Sequence, residues 1–365
     1  MNRTPAIAAL FLYLTLADAT ALPQFAARTG DKCQSCHVNP AGGAMRQAFG
    51  AQYGREKLPV PAWSNSFELE DFTTLLTNVM GVGADFRTLY YYQQLPDTTR
   101  SRNAFFQMQG DLYLNFRLAK KVNIFLKKGL YSGFEAFGLL NILPANGHVK
   151  VGKFVPNFGT KLDDHTAYIR TVTGFSPEAG RPELTGVEAG VSPGRFSIVG
   201  GVYNANDGFA GYGGSNKALL GRAEGMFELG EDVHLGVGAD IFTKESDAGL
   251  RSSMYGGFGS FSYGNFSVLG EVDILRSSGS IPTVTGFVSY IEGSYLVTPG
   301  LDLKLAYDFY DPDRDFKTGS KSRISVGCEF FPIAGVEFRP MYRFNIEDPT
   351  DQRNNELHLL LHFYL

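Results

Sequence analysis

From about Val82 to the last residue the chain is written in runs of roughly ten residues in which apolar and polar side chains alternate, with Gly, Asn, Asp, Ser and Pro between the runs. Alternation of this kind describes a β-strand with one greasy and one polar face. Leu301, Leu303, Leu305, Tyr307 and Phe309 interleave with Asp302, Lys304, Ala306, Asp308 and Tyr310, and Val336, Phe338, Pro340, Tyr342 and Phe344 interleave with Glu337, Arg339, Met341 and Arg343. Sixteen runs begin near residues 82, 104, 121, 133, 147, 183, 195, 217, 233, 252, 265, 284, 301, 321, 335 and 355. Only Tyr131 and Ser132 separate the run at 133 from the one before it, so fourteen strands is the alternative. Tight connections at 119–120, 193–194, 230–232, 264, 298–300 and 332–334 alternate with longer ones, as in barrels with short turns at one end and loops at the other.

Mean hydropathy is −0.10 and no run of 18 apolar residues follows the first twenty, which excludes a bundle of membrane helices but not a membrane barrel, whose alternation averages to near neutrality. With 33 basic against 37 acidic residues there is no electrostatic footprint for nucleic acid, and none is expected as a partner. A soluble sandwich would show the same alternation. Chain length, aromatic residues toward strand ends and a secretory leader favour the membrane barrel. That leader is residues 1–21, with Arg3, an apolar stretch from Ala6 to Leu16, and Ala19-Thr20-Ala21.

Two of the three cysteines form Cys33-Gln34-Ser35-Cys36-His37, a spacing in which both thiols bond to one haem while the adjacent imidazole ligates its iron. A redox CxxC would call for a βαβ context and a structural zinc site for a second ligand pair, and neither is visible. One covalent haem c is therefore expected. Cys328 has no cysteine partner and reads as a small apolar side chain on the outer face. The chain divides into a leader (1–21), a monohaem cytochrome c segment (22–57), a linker or plug (58–81) and an outer-membrane β-barrel (82–365). In the third part, Leu58-Pro59-Val60-Pro61-Ala62-Trp63 reads as stiff, and the helical spacing within 67–79 suggests a plug helix, with a strand as the alternative. The expected fold class is all-β, a transmembrane barrel of about sixteen strands carrying a small N-terminal haem segment.

The stretch from Pro23 through His37, followed by Phe49-Gly50-Ala51-Gln52-Tyr53-Gly54 and then a barrel to the chain end, resembles the fused monohaem cytochrome–porin family of bacterial outer membranes, whose best-known members oxidise iron. After the haem motif, Asn39-Pro40-Ala41-Gly42-Gly43-Ala44-Met45-Arg46 departs from the iron-oxidase pattern. The resemblance implies that Cys33 and Cys36 hold the haem, that His37 is its proximal ligand, and that the cytochrome segment sits in or under the periplasmic mouth of the barrel. About forty residues are too few for an independent core, so the segment is expected to borrow walls from haem and lumen.

For the second axial ligand, Met45 is nearest in sequence, and His148, His234 and His362 fall near the same strand ends; His358 shares the lumen face with His362. His165, in Asp163-Asp164-His165 of the long 156–182 connection, reads as part of an extracellular or inward-folded constriction. Acidic residues recur in the outer loops (Glu245, Asp247, Asp311, Asp313, Asp315, Glu347, Asp348, Asp351), where they would collect ferrous ions or bridge lipopolysaccharide through divalent cations. The expected function is an outer-membrane electron conduit between extracellular Fe(II), or another redox partner, and a periplasmic c-type cytochrome. It would act as an Fe(II):cytochrome c oxidoreductase or as a plain electron-transfer protein. Outward electron transfer and a solute-diffusion porin with a redox haem plug are the alternatives. No catalytic Ser/His/Asp or phosphate-loop arrangement stands out.

Overall fold

The computed structural model describes residues 23–64, 73–95, 101–130, 133–176, 182–205, 216–246, 248–279 and 282–365. The leader at 1–21, the join at Tyr131 and Ser132, residues 67–72 of the suggested plug helix and Asp247 lie outside the described residues. The strands are β1 (Met80–Gln93), β2 (Arg102–Ala119), β3 (Val122–Gly129), β4 (Phe134–Leu143), β5 (Gly147–Phe154), β6 (Leu184–Val191), β7 (Phe196–Asn204), β8 (Lys217–Gly230), β9 (Val233–Glu245), β10 (Arg251–Tyr263), β11 (Phe266–Ser278), β12 (Val284–Thr298), β13 (Leu301–Asp311), β14 (Lys321–Phe330), β15 (Val336–Glu347) and β16 (Glu356–Tyr364).

Each strand pairs antiparallel with its neighbours in sequence, and β1 pairs with β16 from Asp85–Tyr364 to Gln93–Glu356, which closes the barrel and leaves no edge. All sixteen runs become strands, none starting more than two residues from the position the alternation gives. Fourteen is discarded, because β3 and β4 are separate strands paired from Val122–Leu140 to Lys128–Phe134. The exposures also settle membrane barrel against soluble sandwich: Leu303, Leu305 and Tyr307 are 52, 56 and 40% exposed, while Asp302, Lys304, Ala306 and Asp308 between them are buried. A greasy exterior around a charged interior is the reverse of a soluble protein and suits surrounding lipid. Cys328 lies on this outer face in register with Ile324 and Val326.

The tight turns gather at one end. Two pieces of chain fill the lumen, one from each end. From the long-loop end, the connection after β5 folds inward, burying Phe158, Leu162, Ala167, Ile169 and Phe175 and packing a short helix, α4 (Tyr168–Thr173), against β11, β12 and β13. From the tight-turn end come α1 (Pro23–Thr29), a 3₁₀ turn over Cys33–Ser35, α2 (Ala48–Glu56) and a helical turn, α3 (Pro61–Ser64). The linker runs along the mouth: Leu58 packs with Phe25, Phe331 and Tyr364, the Val60 N–H donates to the Phe331 carbonyl at 2.9 Å, and the half-exposed Trp63 meets Phe330 edge-on at 5.3 Å.

Residues 73–79 form bends and a bridge from Leu75 to Gly81, not the suggested helix. Thr77 Oγ1 accepts the N–H groups of Val79 and Met80 at 3.2 and 2.9 Å, a local side-chain contact that competes with helical bonding. Leu76 and Val79 are exposed, whereas Leu75 borders the lumen space beside Met45 and His37.

Candidate functional site

The CxxCH residues lie inside the barrel, on a segment tied down by the strands around it. The Gln24 amide donates to Glu329 at 2.6 Å, Arg28 pairs with Asp302, Lys32 donates to the carbonyls of Gly194 and Phe196 at 2.8 and 2.9 Å, and Ser262 Oγ donates to the Ala27 carbonyl at 2.7 Å. From β5, the fully buried Lys150 reaches Asn39 at 3.3 Å and pairs with Glu188 at 2.7 Å. The segment therefore borrows its walls from the barrel.

Within it, the N–H groups of Cys36 and His37 both donate to the Cys33 carbonyl, and His37 and Arg46 form an antiparallel bridge. The intervening hairpin turns on Gly42, Gly43 and Ala44, all at positive φ. Gly42 sits so close to the Cys33 sulfur that a Cβ there would lie 3.2 Å from Sγ, and a Cβ on Gly50 of α2 would lie 2.4 Å from the Cys36 carbonyl oxygen. Both glycines are what let the chain wrap this closely around the two cysteines. Burial pushes the Cys33 thiol up to about 11 and the Cys36 thiol up to about 12. An exchange-active CxxC would have a lowered thiol, so the surroundings do not favour a dithiol redox centre. His37 Nδ1 donates to the Ala44 carbonyl at 3.3 Å, which fixes the tautomer that carries its lone pair on Nε2, the form an iron-ligating imidazole needs.

Cys33 and His37 open together on a lumen cavity of about 150 Å³. Its apolar wall includes Leu58, Val155, Leu162, Phe175 and Phe331, and its charged wall mixes Arg46, Arg87, Lys127, Lys161 and Arg170 with Asp85, Glu135, Asp163 and Glu337. Much of this charge is paired within the lumen, Arg87 with Asp163 and Lys127 with Asp111 and Glu135. The donor set of Cys33, Cys36 and His37 is the one that covalent haem c requires.

The candidate second ligands scatter. Met45 is buried, its methyl against Gly81 of β1; it opens with His37 on a second cavity of about 640 Å³ that neither cysteine lines. His148 packs against Gly190 and lines a small pocket of about 20 Å³ behind Cys33, away from His37. His234 lies against Gly30, with Nδ1 3.2 Å from Ser262 Oγ. His358 contacts Glu356 at 3.1 Å. His362 lines the first cavity, and its Nδ1 and Nε2 lie 2.8 and 2.9 Å from the carboxylates of Glu337 and Asp85. His165 lines the first cavity with His37 and is buried.

The inward loop that carries His165 is held by four arginines. Arg87 pairs with Asp163 at 2.6 Å, Arg339 also pairs with Asp163, Arg343 pairs with Asp164 at 2.6 Å and donates to Thr166 Oγ1 at 2.6 Å, and Arg323 donates to the Thr166 carbonyl at 3.0 Å. Burial works against ionisation of Asp163, but Arg87 and Arg339 hold its carboxyl well below the usual carboxylate range; Arg343 and Arg323 do the same for Asp164. Burial brings the Lys161 ammonium down to about 7, with Arg170, Lys150 and Arg222 adding to the fall, and its Nζ donates to the Pro156 carbonyl at 3.2 Å.

Alternation places Arg339 and Arg343 on the lumen face, but only the folded loop reveals what they hold. The outer-loop acids serve their own turns: Asp311 and Asp313 each accept the N–H two residues on, Asp351 accepts that of Arg353, and Glu245 pairs with Arg251. Among the described residues, the carboxylate trio close enough to share a cation is Asp163, Glu329 and Glu337, and Arg339 contacts all three.

No family profile and no curated protein sequence matches the chain. Solved structures do. OmpT of Vibrio cholerae is 11% identical over 80% of this chain and 100% of that one, with a TM-score of 0.56. An anion-selective porin from Comamonas acidovorans is 14% identical over 78% and 99%, with a TM-score of 0.57, and OmpF of Salmonella typhi is 12% identical over 78% and 97%, with 0.56. At these identities the likeness is one of fold: the chain has the closed sixteen-strand antiparallel barrel of outer-membrane porins.

Proposed function

We propose that the protein is an outer-membrane electron conduit of the cytochrome–porin kind that its sequence resembles, with one haem c bound through Cys33 and Cys36, ligated by His37, and housed in the lumen at the periplasmic end. The observation that carries this reading is the Cys33–His37 turn, enclosed by the barrel, with its imidazole fixed by Ala44 and opening beside Cys33 onto the lumen. The haem, when bound, supplies a one-electron couple. The chain's own residues orient the imidazole, shield the site from water and wall it with apolar and charged side chains. An external donor such as ferrous iron gives up one electron and becomes ferric; a periplasmic ferric cytochrome takes that electron and becomes ferrous, with no proton transfer required by the balance. The same path serves outward transfer when the external partner is the acceptor.

Plugging from both ends argues against free solute diffusion, the porin alternative. Three measurements on detergent-purified full-length protein test the reading: a haem-stained denaturing gel, stopped-flow absorbance on mixing with ferrous iron, and conductance in planar bilayers. Covalent haem lost in Cys36→Ala, rapid reduction of the wild type and low conductance are expected. Protein without haem that conducts ions well would overturn the conduit and leave a porin. Haem that iron leaves oxidised but a reduced periplasmic cytochrome reduces would turn the conduit outward.

A further inference from the structure

We infer that the tight-turn mouth carries a docking surface for a soluble protein with an acidic face, seated on the β2–β3 turn beside His37. This rests on the conduit reading above and adds to it the chemistry of the periplasmic partner and the place where it lands.

The space of about 640 Å³ that His37 and Met45 border at this mouth has a wall of one charge. Arg46 of the N-terminal segment and Arg117, Lys120 and Lys121 of the β2–β3 turn line it, with amides such as Asn115 and Asn123 between them. Among the described residues, no carboxylate does. Elsewhere in the lumen the cations are neutralised, Lys127 by Asp111, Lys150 by Glu188 and Arg323 by Asp308. At the mouth, Arg46 lies over the Tyr364 ring at 4.3 Å, and among the described residues no acid pairs with any of the four cations.

Arg117, Lys120 and Lys121 are exposed. Like charges gathered on one turn repel each other and stabilise nothing in the barrel. A small anion would be enclosed, with its cations buried around it, whereas cations standing on a wet rim suit a partner that brings its own surface. The rest of the mouth gives such a partner an orientation. The β8–β9 end, nearly opposite in the strand order, exposes Glu228, Glu231 and Asp232, and the α2 residues Arg55 and Glu56 pair with each other at 2.7 Å. An acidic face is drawn to β2–β3 and turned away from β8–β9, which sets it over His37 instead of over the barrel centre.

The test uses full-length protein in detergent and one probe in two charge states: a basic mitochondrial cytochrome c, and the same cytochrome with its lysines succinylated. Surface plasmon resonance on the immobilised probe reads binding, and stopped-flow absorbance of chemically reduced protein mixed with oxidised probe reads electron exchange. The wild type should bind the succinylated form about tenfold more tightly at low salt, a preference that closes as ionic strength rises. Lys120→Glu with Lys121→Glu should abolish the preference and slow exchange about tenfold, with the thermal unfolding midpoint unchanged. Lys120→Gln with Lys121→Gln should give an intermediate loss, and Glu231→Lys with Asp232→Lys a small gain. Equal affinity for the two forms, or a preference that survives the Glu substitutions, would overturn the surface. So would stabilisation of the wild type by tripolyphosphate or phosphatidylglycerol micelles without that preference, which would give the cations to a small anion or to lipid headgroups. The two readings fail separately. Charge-selective binding without electron exchange refutes the conduit and keeps the surface, whereas exchange without charge preference keeps the conduit and refutes the surface.

Discussion

The two sides of the lumen are built on opposite principles. Across β2 to β7 the wall is a run of rings in contact, Tyr113 to Phe125 to Phe137 to Phe154 to Tyr203, with successive centroids 5.0–6.1 Å apart. Across β13 to β16 and β1 it is a mesh of buried charge: Lys304, Glu329, Glu337, Arg339, Arg343, His362, Asp85 and Arg87. The aromatic side forms one apolar cluster with Phe158 and Phe175 of the inward loop, whereas the charged side grips the same loop through Asp163 and Asp164. One loop is thus held by non-directional packing on one flank and by directional pairs on the other. Packing supplies stability in proportion to area, while paired charges specify position and tolerate the loss of neither partner.

If that division of labour is right, the charged side should fail most sharply. Arg339→Ala leaves Asp163, Glu329 and Glu337 without their shared guanidinium, and should cost about 3–5 kcal/mol and release the loop. It should appear as a lowered thermal unfolding midpoint in detergent and as a rise in planar-bilayer conductance. Phe125→Ala, at the centre of the ring run and fully buried, should cost about 3 kcal/mol through the cavity it leaves, with conductance little changed because the arginines still hold the loop. Equal conductance changes in the two variants would erase the distinction.

A smaller effect comes from Lys161, whose ammonium is brought down to about 7. Between that value and the ordinary lysine pKa the unfolded chain binds a proton that the folded one does not, so stability rises with pH through this window. Lys161→Met should therefore raise the unfolding midpoint most below pH 7, with the gain fading toward pH 10. A gain that grew with pH would contradict the burial of the charged form. The smallest change is expected from acid. Asp163 and Asp164 are held well below the usual carboxylate range, so their contribution is full above the unfolded carboxylate pKa and is lost progressively as pH falls from there through the lowered folded values. Conductance should stay flat from pH 7 to pH 4.

The contrast also explains what the sequence discloses. Strand number and facing are legible because a period of two is a local property, and His358, His362, Arg339 and Arg343 all face the lumen as alternation requires. The Cys33–His37 motif is legible because its chemistry is contained in five consecutive residues. The convergence of His165 on the cavity of His37 is not legible, since it depends on a loop turning inward and on arginines from three strands whose partners lie far along the chain. Nor is the pairing of Lys150 with Glu188, which inter-strand register decides. The helix suggested over 67–79 fails in residues 73–79 because Thr77 Oγ1 captures the N–H groups of Val79 and Met80, a local contact that apolar spacing does not disclose.

The segment that carries the cysteines behaves as a ligand the barrel keeps on a tether. The connection leads into β1, which with its neighbour β16 lies at the mouth through which the segment enters, so docking needs no threading. A covalent link to the barrel gives a local concentration on the order of millimolar, which saturates even weak docking contacts. Cutting the tether would convert a permanent resident into a dilutable partner, with no change in any contact between them.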